Sequence, residues 1–212
     1  MVLGSGSISG VDLNKFKYSH HKRIEIREQL KIPENAYVFT FLGRLCKDKG
    51  IDELIEAFQE VSKYHPSAYL ILVGPNEGIY DKTYISRFFN NNIITVGHTD
   101  NPEYYFSASD SLVLPSYREG FGTTVLEAAS CGIPTIASNI YGLSDAVVNE
   151  KTGLLHEVKD VESLTSSMLK LVCNPELSST LGCNAKDRVT NHFSSQYLSE
   201  ELVKFYEVYD YD

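Results

Sequence analysis

The chain of 212 residues has no tryptophan, four cysteines and fewer basic than acidic side chains. Lys and Arg number 19 against 28 Asp and Glu, a formal net charge of −9. Sequence-independent binding of nucleic acid needs a surplus of cations facing phosphates, so that class is disfavoured. Any anionic ligand must be met by a local cluster of positive groups. Cys46, Cys131, Cys173 and Cys183 form no Cys-x-x-Cys pair and stand at no zinc-type spacing with histidine. They read as reduced thiols without chemistry. No apolar run approaches the ~20 residues of a membrane span, and no charged, apolar and small-residue series marks a signal peptide. A soluble, cytoplasmic domain is expected. No Gly-x-Gly-x-x-Gly opens a helix after a strand, which argues against a dinucleotide dehydrogenase.

What is present is a series of short apolar runs separated by helical patterns. Tyr37 to Gly43, Tyr69 to Gly74, Ile93 to Val96, Asp110 to Leu114 and Thr135 to Ser138 read as five buried strands. Residues 18–30 read as a solvated surface helix begun by His20 and His21. Ile51, Leu54, Ile55, Phe58 and Val61 recur at helical spacing, and further helices are expected over 81–90, 101–108 and about 123–131. From Val161 onward the chain turns helical, and Ser194 caps a last helix with an aromatic stripe. Strand and helix in alternation predict an α/β fold, a Rossmann-like doubly wound parallel sheet, with extra C-terminal helices.

Two junctions carry the chemistry. Between the fourth and fifth strands lies Leu114-Pro-Ser-Tyr-Arg-Glu-Gly-Phe-Gly-Thr-Thr-Val-Leu-Glu127, a Gly-rich loop that opens a helix. A loop of this kind leaves backbone N–H groups at a helix N-terminus, where anions are favoured. Glu119 stands at its tip, and Glu127 follows on the helix among Val125, Leu126, Ala128 and Ala129. A carboxylate withdrawn from water needs a hydrogen-bond donor, so Glu127 is expected to have a dedicated partner, and sugar hydroxyls would serve. The alternative is that Glu127 faces solvent on an ordinary amphipathic helix and Glu119 only solvates a loop. The other junction, Gly43-Arg-Leu-Cys-Lys-Asp-Lys-Gly50, gathers Arg44, Lys47 and Lys49 between a strand and a helix. A guanidinium can clamp two phosphate oxygens while an ammonium adds a mobile charge, a combination suited to a diphosphate.

Glu119-Gly-Phe-Gly with Glu127, preceded by Leu-Pro-Ser and followed by Ala-Ser-Cys-Gly-Ile-Pro134, resembles the paired-glutamate signature of retaining nucleotide-sugar glycosyltransferases of family 4, which have the GT-B fold. The resemblance covers nearly the whole chain and only the second half of such an enzyme. It implies sugar transfer from a nucleoside diphosphate sugar with retention and without a metal or other cofactor; no Asp-x-Asp lies in the donor loop. By the same resemblance Arg44 and Lys49 hold the diphosphate, with Gly43 beside them. Backbone groups of Gly120, Phe121, Gly122, Thr123 and Thr124 hold sugar and phosphate, Glu127 the ribose, Glu119 the donor sugar, and His98 and Thr99 approach the base.

Gly10-Val-Asp12 resembles the family's crossover into its second domain, and Gly142 to Asp145 with Asn149 to Leu155 resemble the family's loop that closes this side of the sheet. Expected boundaries are a linker and lead-in strand over 1–14, a donor-binding domain over 15–193, and over 194–212 a helix that crosses to an acceptor-binding domain absent from this chain, which therefore reads as a fragment. The acceptor is expected to be a growing glycan or lipid-linked saccharide of bacterial polysaccharide or O-antigen assembly, the donor UDP-GalNAc or UDP-GlcNAc, and the parent enzyme peripheral on the inner face of the cytoplasmic membrane. Two other readings remain open. A glycosidase would use two carboxylates but has no need of a phosphate clamp. A non-catalytic nucleotide-sugar binding module would bind without turnover.

Overall fold

The computed structural model describes residues 10–77, 80, 83, 84 and 92–209. Six parallel strands form its sheet: β1 (Val38–Leu42), β2 (Tyr69–Val73), β3 (Ile93–Val96), β4 (Ser111–Leu114), β5 (Thr135–Ser138) and β6 (Gly153–His156). Their order is β3-β2-β1-β4-β5-β6. The chain builds outward from β1 in one direction, then returns to β1's other side and builds the opposite way. Where the direction reverses, between β1 and β4, neighbouring loops diverge and leave a crevice at the carboxyl edge.

The central strands are buried on both faces, which explains their continuous apolar composition. Val38, Ile71 and Val73 face one layer with Ile32 and Ala36. Phe39, Phe41, Leu70 and Leu72 face the other, larger layer. That layer includes α2 (Ile51–Tyr64), which buries Ile51, Leu54, Ile55, Ala57, Phe58 and Val61 at helical spacing. Next to α2 lies α6 (Val161–Val172), whose N-cap Asp160 accepts from Ser163 N at 3.0 Å.

The remaining helices are α1 (His20–Gln29), α3 (Pro102–Ala108), α4 (Thr123–Ser130), α5 (Leu143–Ala146), α7 (Pro175–His192) and α8 (Ser195–Tyr209). Ser194 Oγ accepts from Tyr197 N at 3.2 Å at the start of α8, as the sequence predicts. The helix expected over 81–90 lies, apart from Thr83 and Tyr84, outside the described residues.

Two expectations need correction. The loop expected from Asn149 to Leu155 contains the first residues of β6, which pairs in register with β5, Thr135 with Gly153 through Ser138 with His156. Four residues beginning with glycine carry too little alternation to announce a strand. Gly153 is there because a Cβ would run into the Thr135 carbonyl. The surface helix α1 is not merely solvated. Its Ile26 is buried, and so is the Arg27 guanidinium, which donates to the carbonyls of Ala108, Glu34 and Ala36 at 2.8–2.9 Å. Arg27 and Arg23 also pair with the two oxygens of Asp110 at 2.9 and 2.8 Å.

Candidate functional site

The crevice between β1 and β4 holds a cavity of about 210 Å³ lined by Phe41, Leu42, Gly43, Arg44, Lys49, Leu114, Ser116, Glu119, Gly122 and Thr124. Of the residues predicted to bind a ligand, six therefore meet in one place: Gly43, Arg44, Lys49, Glu119, Gly122 and Thr124. They come from chain segments about 70 residues apart, brought together by the parallel pairing of β1 with β4.

Two close approaches hold the loops in register. Gly50, at φ 69°, ends the 3-10 turn Lys47–Lys49 and lies so near Pro115 that a Cβ would clash with its carbonyl. Tyr117 N donates to Asp48 O at 2.9 Å, and Tyr117 OH to Glu53 at 2.6 Å. The foot of the Gly-rich loop is thus strapped to the turn that carries Lys49. Burial and the Glu53 carboxylate both raise the Tyr117 phenol above its ordinary range, so it stays a proton donor.

Across that seam Lys49 Nζ meets Glu119 Oε2 at 2.5 Å, with side chains only 15% and 25% exposed. Arg44 is more open and pairs with Glu77 at 2.6 Å. Helix α4 starts at the cavity wall with Gly122 as its left-handed N-cap, at φ 69°. The first-turn N–H groups of Thr123 and Thr124 have no protein acceptor among the described residues, as at any helix start without a side-chain cap. Ser116, fully buried on the cavity wall, has a hydroxyl with no partner among the described residues. In the sequence Ser116 is one residue of Leu-Pro-Ser, and nothing there marks its orphaned hydroxyl. Glu77 was missed as well, being one carboxylate in a surface loop.

The other candidates lie outside the cavity lining. Gly120 and Thr123 flank it, and the Phe121 ring packs instead on Phe193, with centroids 5.6 Å apart. His98 is exposed and lies 3.3 Å from Asp100, while the Thr99 hydroxyl accepts from Asn101 N at 3.1 Å. Glu127 is half-buried one turn below Thr124 on α4, and the dedicated partner expected for it is missing among the described residues. Burial pushes its carboxyl up to about 7, partly relieved by Lys15 and reinforced by Glu103. Glu103 itself has one buried carboxylate oxygen without a hydrogen bond. No group of three His, Cys, Asp or Glu suited to a metal ion occurs among the described residues. An Asp-x-Asp triplet does end the chain, Asp210-Tyr-Asp212, outside the described residues.

Chemically, the cavity offers two cations, helix-start donors, a carboxylate on a loop tip and a hydroxyl in need of a partner. Such a set fits a doubly charged anion joined to a polyol. No helix among the described residues is long and apolar enough to cross a membrane.

The sequence profile of the family described as Glycosyl transferases group 1 matches residues 22–188. The chain is 33% identical over 211 residues to the capsular polysaccharide biosynthesis glycosyltransferase CapM of Staphylococcus aureus, covering 98% of this chain and 55% of that protein. It is 30% identical over 191 residues to the UDP-Gal:alpha-D-GlcNAc-diphosphoundecaprenol alpha-1,3-galactosyltransferase of Escherichia coli, covering 88% of this chain and 49% of that one. Among solved structures, the C-terminal domain of a glycosyl transferase group 1 family protein (LpcC) from Francisella tularensis superposes with a TM-score of 0.75 at 25% identity. That match covers 86% of this chain and 97% of that domain. The chain thus spans about half the length of these two full-length relatives.

Proposed function

The chain belongs to the glycosyl transferases group 1 family, and from that premise we propose that it is the donor-binding half of an enzyme that transfers a sugar from a nucleoside diphosphate sugar. The observation that carries this reading is the meeting of Arg44, Lys49, Glu119 and the start of α4 in one cavity at the switch point of the sheet.

In this reading the diphosphate lies against Arg44 and Lys49, with Gly43 allowing close approach and the N–H groups from Gly120 to Thr124 supplying further donors. Negative charge grows on the diphosphate as the glycosidic bond breaks, and fixed cations and N–H dipoles stabilise that growth without reorganising. Glu119 orients the donor sugar through its hydroxyls. Glu127 receives the ribose hydroxyls, which would give its carboxylate the donors it lacks. His98 and Thr99 are the outer edge of the base pocket. Transfer with retention and without a metal belongs to the same proposal.

The name of the Escherichia coli relative supports a uridine diphosphate donor and a lipid-linked acceptor, that of the Staphylococcus aureus relative supports polysaccharide assembly, and UDP-GlcNAc, UDP-GalNAc and UDP-galactose are the first sugars to test. The acceptor site falls to a preceding domain, toward which α8 (Ser195–Tyr209) would cross, so this chain alone is proposed to bind donor without transferring sugar. The enzyme would work in the cytoplasm, at the inner membrane face when its acceptor is lipid-linked.

The test is calorimetric titration of the chain with UDP, GDP and their sugars in the presence of EDTA, beside Glu127→Ala. One nucleotide should bind without metal, and the variant should lose that binding. A folded chain that binds none of them overturns the assignment of a donor site to this cavity.

A further inference from the structure

The loop after β2 is zipped to the loop after β1. Gly43 N donates to Val73 O at 3.0 Å, Leu45 N to Pro75 O at 2.8 Å, and Glu77 N to Leu45 O at 3.1 Å. Leu45 and Asn76 also form an isolated parallel bridge. Pairing of β1 with β2 therefore continues past both strand ends, and it delivers Glu77 to a fixed place beside Arg44. The Glu77 carboxylate meets the Arg44 guanidinium at 2.6 Å, and Arg44 lines the cavity. Lys49 is in the same condition, with Glu119 at 2.5 Å. Both cations that face the cavity thus already hold a carboxylate.

The two carboxylates differ in placement. Glu119 lines the cavity, whereas Glu77 does not line it and reaches Arg44 Nη1 from the loop after β2. A guanidinium has five N–H donors, and Arg44, which lines the cavity, spends Nη1 on Glu77. The pair is exposed on both sides, 53% and 45%, so it is weak and exchangeable.

Resting on the donor reading above, we propose that Glu77 is a resident counter-ion of the diphosphate subsite: it competes with the incoming diphosphate for Arg44 and is displaced when a nucleoside diphosphate enters. The exchange needs no bond chemistry. One anion replaces another at the guanidinium, and the freed carboxylate passes to solvent. An entering group with two or more negative charges outcompetes a single carboxylate, whereas a neutral glycan does not. Glu77 thereby keeps the cleft electrically satisfied when empty, in a chain whose overall charge is −9.

The opposite role is that Glu77 positions Arg44 for the ligand, and the two roles predict opposite signs. The measurement is UDP affinity of the 212-residue chain by calorimetry, for wild type, Glu77→Gln and Glu56→Gln. Glu56 is exposed on α2 and makes the same change in net charge away from the cavity. Competition predicts that Glu77→Gln binds UDP about three to five times more tightly, the range of an exposed ion pair, with Glu56→Gln unchanged. It also predicts that the gain shrinks as salt is raised. Unchanged or weaker binding by Glu77→Gln, or an equal gain in Glu56→Gln, overturns the proposal while leaving the donor site intact. If wild type binds no nucleoside diphosphate at all, the donor reading fails and this inference fails with it.

Discussion

Two clusters of paired charges lie near the first strand, one at each of its ends, and they are built on opposite principles. At the amino end, Asp110 is held by Arg23, by Arg27 and by Val38 N at 2.7 Å, and Arg27 is also bonded to backbone carbonyls and buried. At the carboxyl end, Arg44 and Lys49 each hold one carboxylate, near solvent or beside a cavity. The first cluster uses its hydrogen-bonding capacity to join α1 to β1 and β4. The second leaves most of its capacity unspent. A charge that is fully bonded is structural, and one that is partly bonded is available to a ligand.

The largest test of that contrast is Arg27→Ala. It takes one of two cations from the part-buried Asp110 carboxylate and leaves several buried carbonyls without their donor, and should lower the unfolding free energy by about 3–5 kcal/mol in denaturant titrations. A loss below about 1 kcal/mol would make the brace no different from a surface pair. Next in size, Arg44→Ala or Lys49→Ala should weaken nucleoside diphosphate binding by about 1.5–3 kcal/mol, the scale of a charge-assisted hydrogen bond. Unfolding free energy should move by less than about 1 kcal/mol in the Arg44 variant, whose ion pair is exposed. Unchanged affinity would place the phosphate site elsewhere.

The last test concerns Glu127, which belongs to neither cluster. Its carboxyl is raised by burial from an ordinary 4.5 to about 7. A raised carboxyl binds its proton more tightly in the folded than in the unfolded state. Its contribution to stability is therefore full below about pH 4.5 and is lost as pH rises through about 7. Thermal unfolding followed across this window should show the decline in wild type and a flatter profile in Glu127→Gln. Identical profiles would mean that Glu127 is solvated.

Most of the sheet was legible from the sequence because its central strands are buried on both faces and their composition says so. The last strand was not, since Gly153–His156 is short, begins with the glycine that lets it approach β5, and follows a turn. The cavity's ionic and loop residues were legible where residue type alone implies chemistry: Arg44 and Lys49 by charge at a helix start, Gly122 and Thr124 by a Gly-rich turn. What stayed hidden was pairing. That Arg27 reaches Asp110 across 83 positions, or that Glu77 meets Arg44 across 33, depends on strand order and on backbone bridges beyond strand ends. Phe121 shows the converse. Its place in the motif points to a ligand through the backbone, while its ring packs on Phe193.

That ring contact has a mechanical side. Val11 N donates to Phe193 O at 2.8 Å, and Ser195 N to Val11 O at 2.9 Å, so the segment leading into the domain and the turn leading into α8 are pinned to each other at a single crossing. Phe193 is fully buried at the pin and bears on Phe121, two positions from Glu119. A torque applied through either segment reaches the tip of the Gly-rich loop as the tilt of one aromatic lever against another.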